Sequence, residues 1–429
     1  GDRYESGQAF ALDLQRFLAG EPVLAHPTSH WYRLKKRVAQ RPSTFLAGFL
    51  ASVAVLGAFG TLLWSWRQAK LQASLRSSLL TQVMSIDQTW RATVSRDVHS
   101  TTHERKQLLA KLEESVALAR KQGLAEASLL LLQGRGFLSL GEVAKARQSL
   151  EEARKLGLDN AELRQALGLA LLREWQEEEE LARRIPNREL RTSRQRELEK
   201  KLREPARALL QSLSLEPSAH LLAAQLAISE GNYQEAQVRA EKALATAAWP
   251  YEAELLAGDA CLGQARLLAD QGKYEEAQAE LEKASRHYAR AATLAPSLVA
   301  SHLGQAHTFL EWGNVMVETG QPPEPWWAKA KHAAQQAKTV DAENPQVSTT
   351  LALVAVREMD FAARRGKDPS LPFSQLQEAT EAMLRLNPKD ARALGLKGIG
   401  LRLLALWQRH PEAAAKLQAE ALQYLQAAL

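Results

Sequence analysis

The sequence predicts an all-α protein in which one transmembrane helix precedes a superhelix of paired helices. Alanine, leucine, glutamine, glutamate and arginine dominate the chain, and strand-forming residues never alternate with period two. One uncharged run of 25 residues, from 42 to 66, lies near the start. Beyond residue 126, short sequence words recur and are separated by helix-ending prolines.

The uncharged run predicts a transmembrane helix over residues 43–66. At about 1.5 Å per residue it reaches roughly 35 Å, which exceeds a hydrocarbon core of about 30 Å. Trp64 and Trp66 lie where interfacial aromatic residues are common. The alternative of a buried core helix is disfavoured, because core helices seldom run this far without a charge. A signal peptide would need a small-residue cleavage site and a shorter preceding segment.

Basic residues flank this run unequally, and the difference predicts its orientation. Five precede it and three follow it over a similar distance: Arg33, Lys35, Lys36, Arg37 and Arg41, then Arg67, Lys70 and Arg76. The positive-inside rule therefore places the N-terminus in the cytoplasm and the later residues outside it. Beyond residue 66 the chain is nearly neutral, with 48 basic and 45 acidic residues. This balance, without a basic stripe, argues against a nucleic-acid partner.

Small residues recur along one face of the predicted membrane helix. Their spacing of four, three and four favours close helix–helix approach in lipid, and hence a homodimer. The alternative is the ordinary alanine content of a membrane helix. The residues of this face are Ala47, Ala51, Ala54 and Ala58.

Residues 67–125 are predicted to form a helical stalk. Apolar residues recur there every three or four positions, which produces one apolar face on a continuous helix. These residues are Leu71, Leu75, Leu79, Val83, Ile86, Trp90 and Val94.

Residues 126–429 resemble the tetratricopeptide repeat, in which small residues let two antiparallel helices approach closely. The words EGNYQEA and QGKYEEA begin at residues 230 and 271. A highly charged insertion, residues 174–204, interrupts the pattern. It predicts solvated helices with Glu–Arg pairs, and the alternative is a docking surface. Helix ends are predicted at Pro217, Pro296, Pro345 and Pro388.

The resemblance implies a protein or peptide ligand in the concave groove of the repeats. Aligning the repeats on Gly134, Ala224, Ala265 and Gly304 places one polar residue directly after each alignment position. Two arginines in this set would suit an acidic peptide through bidentate contacts. The alternative is that all four are merely solvated. The predicted groove residues are Arg135, Gln225, Arg266 and Gln305.

The first residues resemble the end of the catalytic domain of bacterial serine/threonine protein kinases. The motif Arg3-Tyr4-Glu5-Ser6-Gly7 matches the last helices of that domain over residues 1–19. Gly20-Glu21-Pro22-Val23 then opens a basic juxtamembrane segment, residues 20–42. Many members of this family continue with a transmembrane helix and tetratricopeptide repeats, in the order found here. The resemblance implies a structural ion pair for Arg3 and a longer parent chain.

Motifs for catalysis are missing from the sequence. It lacks the HRD and DFG triplets that position the base and metal in kinases, so ATP and magnesium are expected only in the preceding kinase domain. His99 and His103 lie four residues apart, but no third ligand accompanies them, and no metal site is predicted. The resemblance to the kinase family therefore implies the sensor and anchor half of a transmembrane serine/threonine kinase, with the bacterial inner membrane as its expected location. The alternative is a non-enzymatic, membrane-tethered scaffold for assembling a complex.

Overall fold

The computed structural model describes residues 4–19, 21, 23, 42–183, 185, 187–213, 219–246 and 248–428. These residues are helices joined by short turns, without a strand among them, so the all-α prediction is confirmed. Contacts divide the chain into two compact units, Gly1–Ser74 and Leu75–Leu429. Arg3, the predicted structural arginine, and the basic residues 33–41 lie outside the described residues.

The first unit contains α1 (Gly7–Leu18) and the beginning of α2 (Pro42–Val94). Ser6 caps α1 by accepting a hydrogen bond from the Ala9 amide at 3.2 Å, which explains why the helix begins there. Within α2, every described side chain from Ser43 to Leu71 is exposed. One helix of the described residues is long and apolar enough to cross a membrane, and it lies within Phe49–Val94.

The second unit contains the end of α2, then α3, and then seven helix pairs among the described residues. The paired helices are α4 with α5, α6 with α8, and then α9 with α10 through α17 with α18. A short helix, α7, and one π-helical turn (Glu199–Arg203) lie between α6 and α8. The prediction of tetratricopeptide-type helix pairs is confirmed. The helices are α3 (Thr102–Lys121), α4 (Glu126–Ser139), α5 (Val143–Lys155), α6 (Ala161–Ala182), α7 (Arg188–Leu198), α8 (Glu204–Gln211), α9 (His220–Glu230), α10 (Tyr233–Leu244), α11 (Pro250–Asp270), α12 (Tyr274–Leu294), α13 (Val299–Glu318), α14 (Glu324–Val340), α15 (Pro345–Arg364), α16 (Ser370–Leu386), α17 (Ala391–Trp407) and α18 (Pro411–Ala427).

Residues 75–125, predicted as part of a stalk, belong to the compact repeat unit. Leu79, Val83 and Ile86 are buried and share one core with α3, α4 and α6. The apolar stripe on α2 is therefore used for packing against the repeats beyond Leu75. Sequence periodicity identified the buried face, but it could not identify what covers that face.

The residues that follow α2 connect to turns much later in the chain. The Ser297 amide donates to the Val94 carbonyl at 3.0 Å, and the Ser297 hydroxyl donates to the Asp97 carbonyl at 3.0 Å. The Thr101 amide donates to the Val340 carbonyl at 2.7 Å. We call residues 91–106 the linking segment, because they join α2 and α3 to the α12–α13 and α14–α15 turns.

Glycines allow close approach between neighbouring helices. Tyr288 on α12 is fully buried and lies against Gly258 on α11 and Gly304 on α13. A Cβ atom at Gly304 would overlap the Tyr288 ring. Trp327 packs in the same way against Gly313. Large residues of one helix therefore fill the space that glycines leave on the next.

Replacing one of these glycines should destabilise the repeat unit. We expect Gly304→Ala to lower the free energy of unfolding by about 1–3 kcal/mol, because the rigid Tyr288 ring must move out of a filled core. Urea unfolding, followed by circular dichroism of the chain in detergent, measures the change.

Gly395→Ala is the matched control, because the nearest atom to an added Cβ there is 3.8 Å away. Alanine favours helix over glycine by up to about 1 kcal/mol, so this variant should be neutral or stabilised. Equal losses at both positions would contradict the packing argument.

Candidate functional site

A large groove is the main concave feature of the described part of the repeat unit. Its cavity volume is about 2250 Å³. Faces of α6, α9, α11 and α13 line it, together with the end of α2 and the start of α15. The linking segment contributes Arg91, Arg105 and Lys106 to the lining. This volume is large enough for an extended peptide segment or an inserted helix.

The groove is lined by regularly spaced side chains of two long helices. On α6 they include Arg173, Glu177 and Glu180, which are four and three residues apart and so share one helix face. On α11 they include Asp259 and Arg266. The lining is rich in both signs of charge, so the groove is suited to a polar partner rather than to a purely apolar one.

A buried ion-pair cluster joins three helices at this surface. The Arg266 guanidinium contacts Glu180 of α6, and it lies 3.9 Å from the Glu311 carboxylate of α13. Burial opposes the charge on Arg266, but Glu180 and Glu311 outweigh that effect and raise the pKa of Arg266. Arg183 and Asp270, 3.3 Å apart, add a second link between α6 and α11.

A second polar contact lies nearby. The Tyr288 hydroxyl donates a hydrogen bond of 2.6 Å to Asp259. Burial raises the pKa of the Asp259 carboxyl, although this hydrogen bond lowers it. The ring of Tyr288 thus packs against glycines in the core, while its hydroxyl group contacts a residue of the groove lining.

The four predicted groove residues lie in different environments. Gln225 and Arg266 line the groove, whereas Arg135 and Gln305 do not belong to its lining. Arg135 instead lies 3.9 Å from Glu162. The alignment position therefore does not have the same environment on every helix.

The expected role of Arg266 in holding an acidic peptide does not fit its surroundings. Its guanidinium is already engaged by two carboxylates and is largely buried, so it is not available to a ligand. The sequence could not indicate this, because Glu180 and Glu311 are distant in the chain. The acidic run at residues 177–180 could nevertheless have indicated a partner for a buried arginine. The sequence analysis assigned that run to solvated helices instead.

That charged insertion is solvated only in part. On α7, Arg194 pairs with Glu178 at 3.1 Å and with Glu197 at 2.8 Å, as expected for charged helices. Glu177 and Glu180, however, lie on the groove face of α6, and Glu180 is buried. The acidic run therefore belongs partly to the groove lining.

The structure also shows the surroundings of other residues that the sequence analysis considered. His99 contacts the Ser297 hydroxyl at 2.9 Å, within the linking segment. No cluster of potential metal ligands occurs among the described residues. Cys261 is buried, and burial raises the pKa of its thiol to about 12, so the thiol is not a nucleophile at neutral pH. Trp327 is buried, and Trp326 stacks on Trp312 with ring centroids 4.0 Å apart.

The four alanines of the predicted membrane-helix face are among the residues that the structure describes. Ala47, Ala51, Ala54 and Ala58 all lie on α2, and all four are exposed.

Comparisons with known proteins agree on the fold class alone. No protein-family model matches the sequence. No curated protein matches it either. Three solved structures of tetratricopeptide-type helical-repeat proteins are similar. A human IFIT1 dimer with PPP-AAAA is 15% identical over 75% of this chain and 78% of that chain, with a TM-score of 0.37.

The other two similar structures are those of MamA and of the APC/C hetero-tetramer Cut9–Hcn1. MamA is 16% identical over 50% of this chain and 97% of that chain, with a TM-score of 0.30. Cut9–Hcn1 is 14% identical over 75% and 82%, with a TM-score of 0.23. All three TM-scores lie below 0.5, so we transfer no ligand from these proteins.

The ion-pair cluster generates a stability prediction. Arg266→Met should lower the free energy of unfolding by about 3–5 kcal/mol at pH 8, because Glu180 and Glu311 lose their buried cation. Those carboxyls would then bind protons more readily in the folded state. The loss should therefore shrink as the pH falls towards 5.

Urea midpoints at pH 5 and pH 8 measure this effect. Arg135→Met is the control, since its contact with Glu162 is long and partly exposed and is expected to contribute at most about 1 kcal/mol. A pH-independent loss for Arg266→Met, or equal losses for both variants, would argue against the cluster.

Proposed function

We propose that the repeat unit binds an extended protein or peptide segment in its groove, and that α2 anchors this unit to a membrane. The groove is the observation that carries the proposal. It is wide, it presents polar side chains from several helix pairs, and tetratricopeptide-type repeats are protein-binding modules.

Membrane anchoring is supported by the exposed apolar surface of α2. Large side chains such as Phe49, Leu56 and Trp64 are more than half exposed along this helix. A surface of this kind is unfavourable in water, and a bilayer is the solvent that suits an apolar helix of this length. The exposed alanine face would also allow a second copy to approach, which is the homodimer proposed from the sequence.

The finer proposal is that the chain forms the sensor and anchor part of a bacterial transmembrane serine/threonine kinase. It rests on the resemblance of residues 1–19 to the end of a kinase domain and on the order of segments that follows. In this proposal the groove binds its ligand outside the cytoplasm, while a preceding kinase domain uses ATP and magnesium inside. Upstream coding sequence that contains DFG and APE motifs would support the kinase, whereas its absence would favour the membrane-tethered scaffold.

Groove binding can be tested with a matched pair of glutamines. A peptide selected from a random display library against the chain in lipid nanodiscs should bind about tenfold more weakly to Gln225→Arg, because the longer side chain occupies the groove. Fluorescence anisotropy measures the affinity. Gln305→Arg makes the same change outside the groove lining and should leave the affinity unchanged. Failure to select any peptide, or equal effects of both variants, would overturn groove binding.

The membrane topology can be tested separately. Alkaline phosphatase fused after Leu429 should be active in a bacterial host, because five basic residues before the apolar run and three after it favour a cytoplasmic N-terminus. Cytosolic green fluorescent protein fused at the same place should be dim. The opposite pattern of the two reporters would reverse the proposed location of the repeats.

A further inference from the structure

The acidic run of α6 contains one carboxylate that differs from its neighbours. Glu174 pairs with Arg147 at 2.8 Å, Glu178 pairs with Arg194 at 3.1 Å, and Glu180 contacts Arg266. Glu177 lines the groove but forms neither an ion pair nor a hydrogen bond with any described residue. It is therefore a partly buried carboxylate that the protein itself leaves unmatched.

An arginine from the far end of the array acts on the same carboxylate. Arg392, near the start of α17, lines the groove and is the strongest opposite charge acting on Glu177. The two groups do not form an ion pair, and Arg392 forms none with any other described residue. An acidic and a basic group from two helices thus line one groove without forming an ion pair with each other.

Arg173 is the other cation near Glu177, and its charge is balanced differently. One of its nitrogens donates to the Leu138 carbonyl at 3.0 Å. The carboxylates of Glu252, Glu177 and Asp259 also act on it, in that order. Arg173 is therefore held by its own surroundings, whereas Glu177 and Arg392 lack contacting partners of opposite charge.

The electrostatic environment of Glu177 favours an incoming cation. The pKa of its carboxyl is raised to about 7, first by burial and then by the neighbouring Glu174 and Glu178. Arg392 and Arg173 lower it, but not enough to offset the burial. An ammonium or guanidinium group beside Glu177 would supply the missing compensation. A carboxylate beside Arg392 would likewise compensate the positive charge of its guanidinium group.

We propose that the groove binds a segment carrying a basic and an acidic side chain close together, the basic group on Glu177 and the acidic group on Arg392. This inference rests on groove binding as proposed above, and it names the chemistry of the ligand. It replaces the acidic peptide expected from the sequence, because Arg266 is engaged within the protein and Arg135 is outside the groove lining.

Three synthetic peptides built from serine and alanine test the inference. The first carries one lysine and one glutamate, the second carries two lysines, and the third carries two glutamates. The mixed-charge peptide should bind the chain in nanodiscs about tenfold more tightly than either of the others at pH 8. Its affinity should rise between pH 6 and pH 8, because the lysine interacts with the ionised form of Glu177. Neither peptide side chain titrates in that range.

Glu177→Gln should abolish both the preference and the pH dependence, and Arg392→Gln should abolish the preference. Glu178→Gln is the matched control on the same helix, since that carboxylate already pairs with Arg194, and it should leave the preference for the mixed-charge peptide unchanged. Equal affinities for the three peptides, or no effect of Glu177→Gln, would overturn the inference. If a library-selected peptide remains sensitive to Gln225→Arg in that case, groove binding itself stands.

Discussion

Close approach between helices at glycine positions is the constraint on which the repeat unit depends. Tyr288 fits between two helices because Gly258 and Gly304 carry no side chains. The same ring donates its hydroxyl proton towards Asp259, at the groove surface. Helix spacing therefore sets both the core and the position of the polar groups that a ligand would meet.

Charges at the groove have two separate roles. Arg266 contacts Glu180 and Glu311 and so connects helices of different pairs, which gives these charges a structural role. Glu177 and Arg392 lack such contacts and are open to a partner. In the proposed binding mode, removing a structural charge would weaken both folding and binding, whereas removing Glu177 or Arg392 breaks no ion pair within the protein. This distinction decides which variants report on ligand recognition.

The helix α2 has an exposed apolar part and a part that packs within the repeat unit. Its apolar part near Phe49 is exposed, whereas Ile86 and Val94 are buried in the repeat unit. Main-chain hydrogen bonds from Ser297 and Thr101 fix the residues that follow. The end of α2 is consequently part of the groove lining, which a stalk separate from the repeats would not be.

The sequence by itself determined the helical class, the small–large pattern of the helix pairs and the apolar helix, because these follow from periodicity and composition over short distances. It also placed small residues, Gly134 and Gly304 among them, at equivalent positions of the repeats. Only the tertiary structure decided which polar residues share the groove. Arg266 meets Glu180 and Glu311, and Glu177 and Arg392 line the same groove, although all of these pairs are far apart in the chain. Equivalent positions of the repeats also differ, since Gln225 and Arg266 line the groove whereas Arg135 and Gln305 do not. Such long-range placement depends on how the helices pack, and local sequence patterns do not record it.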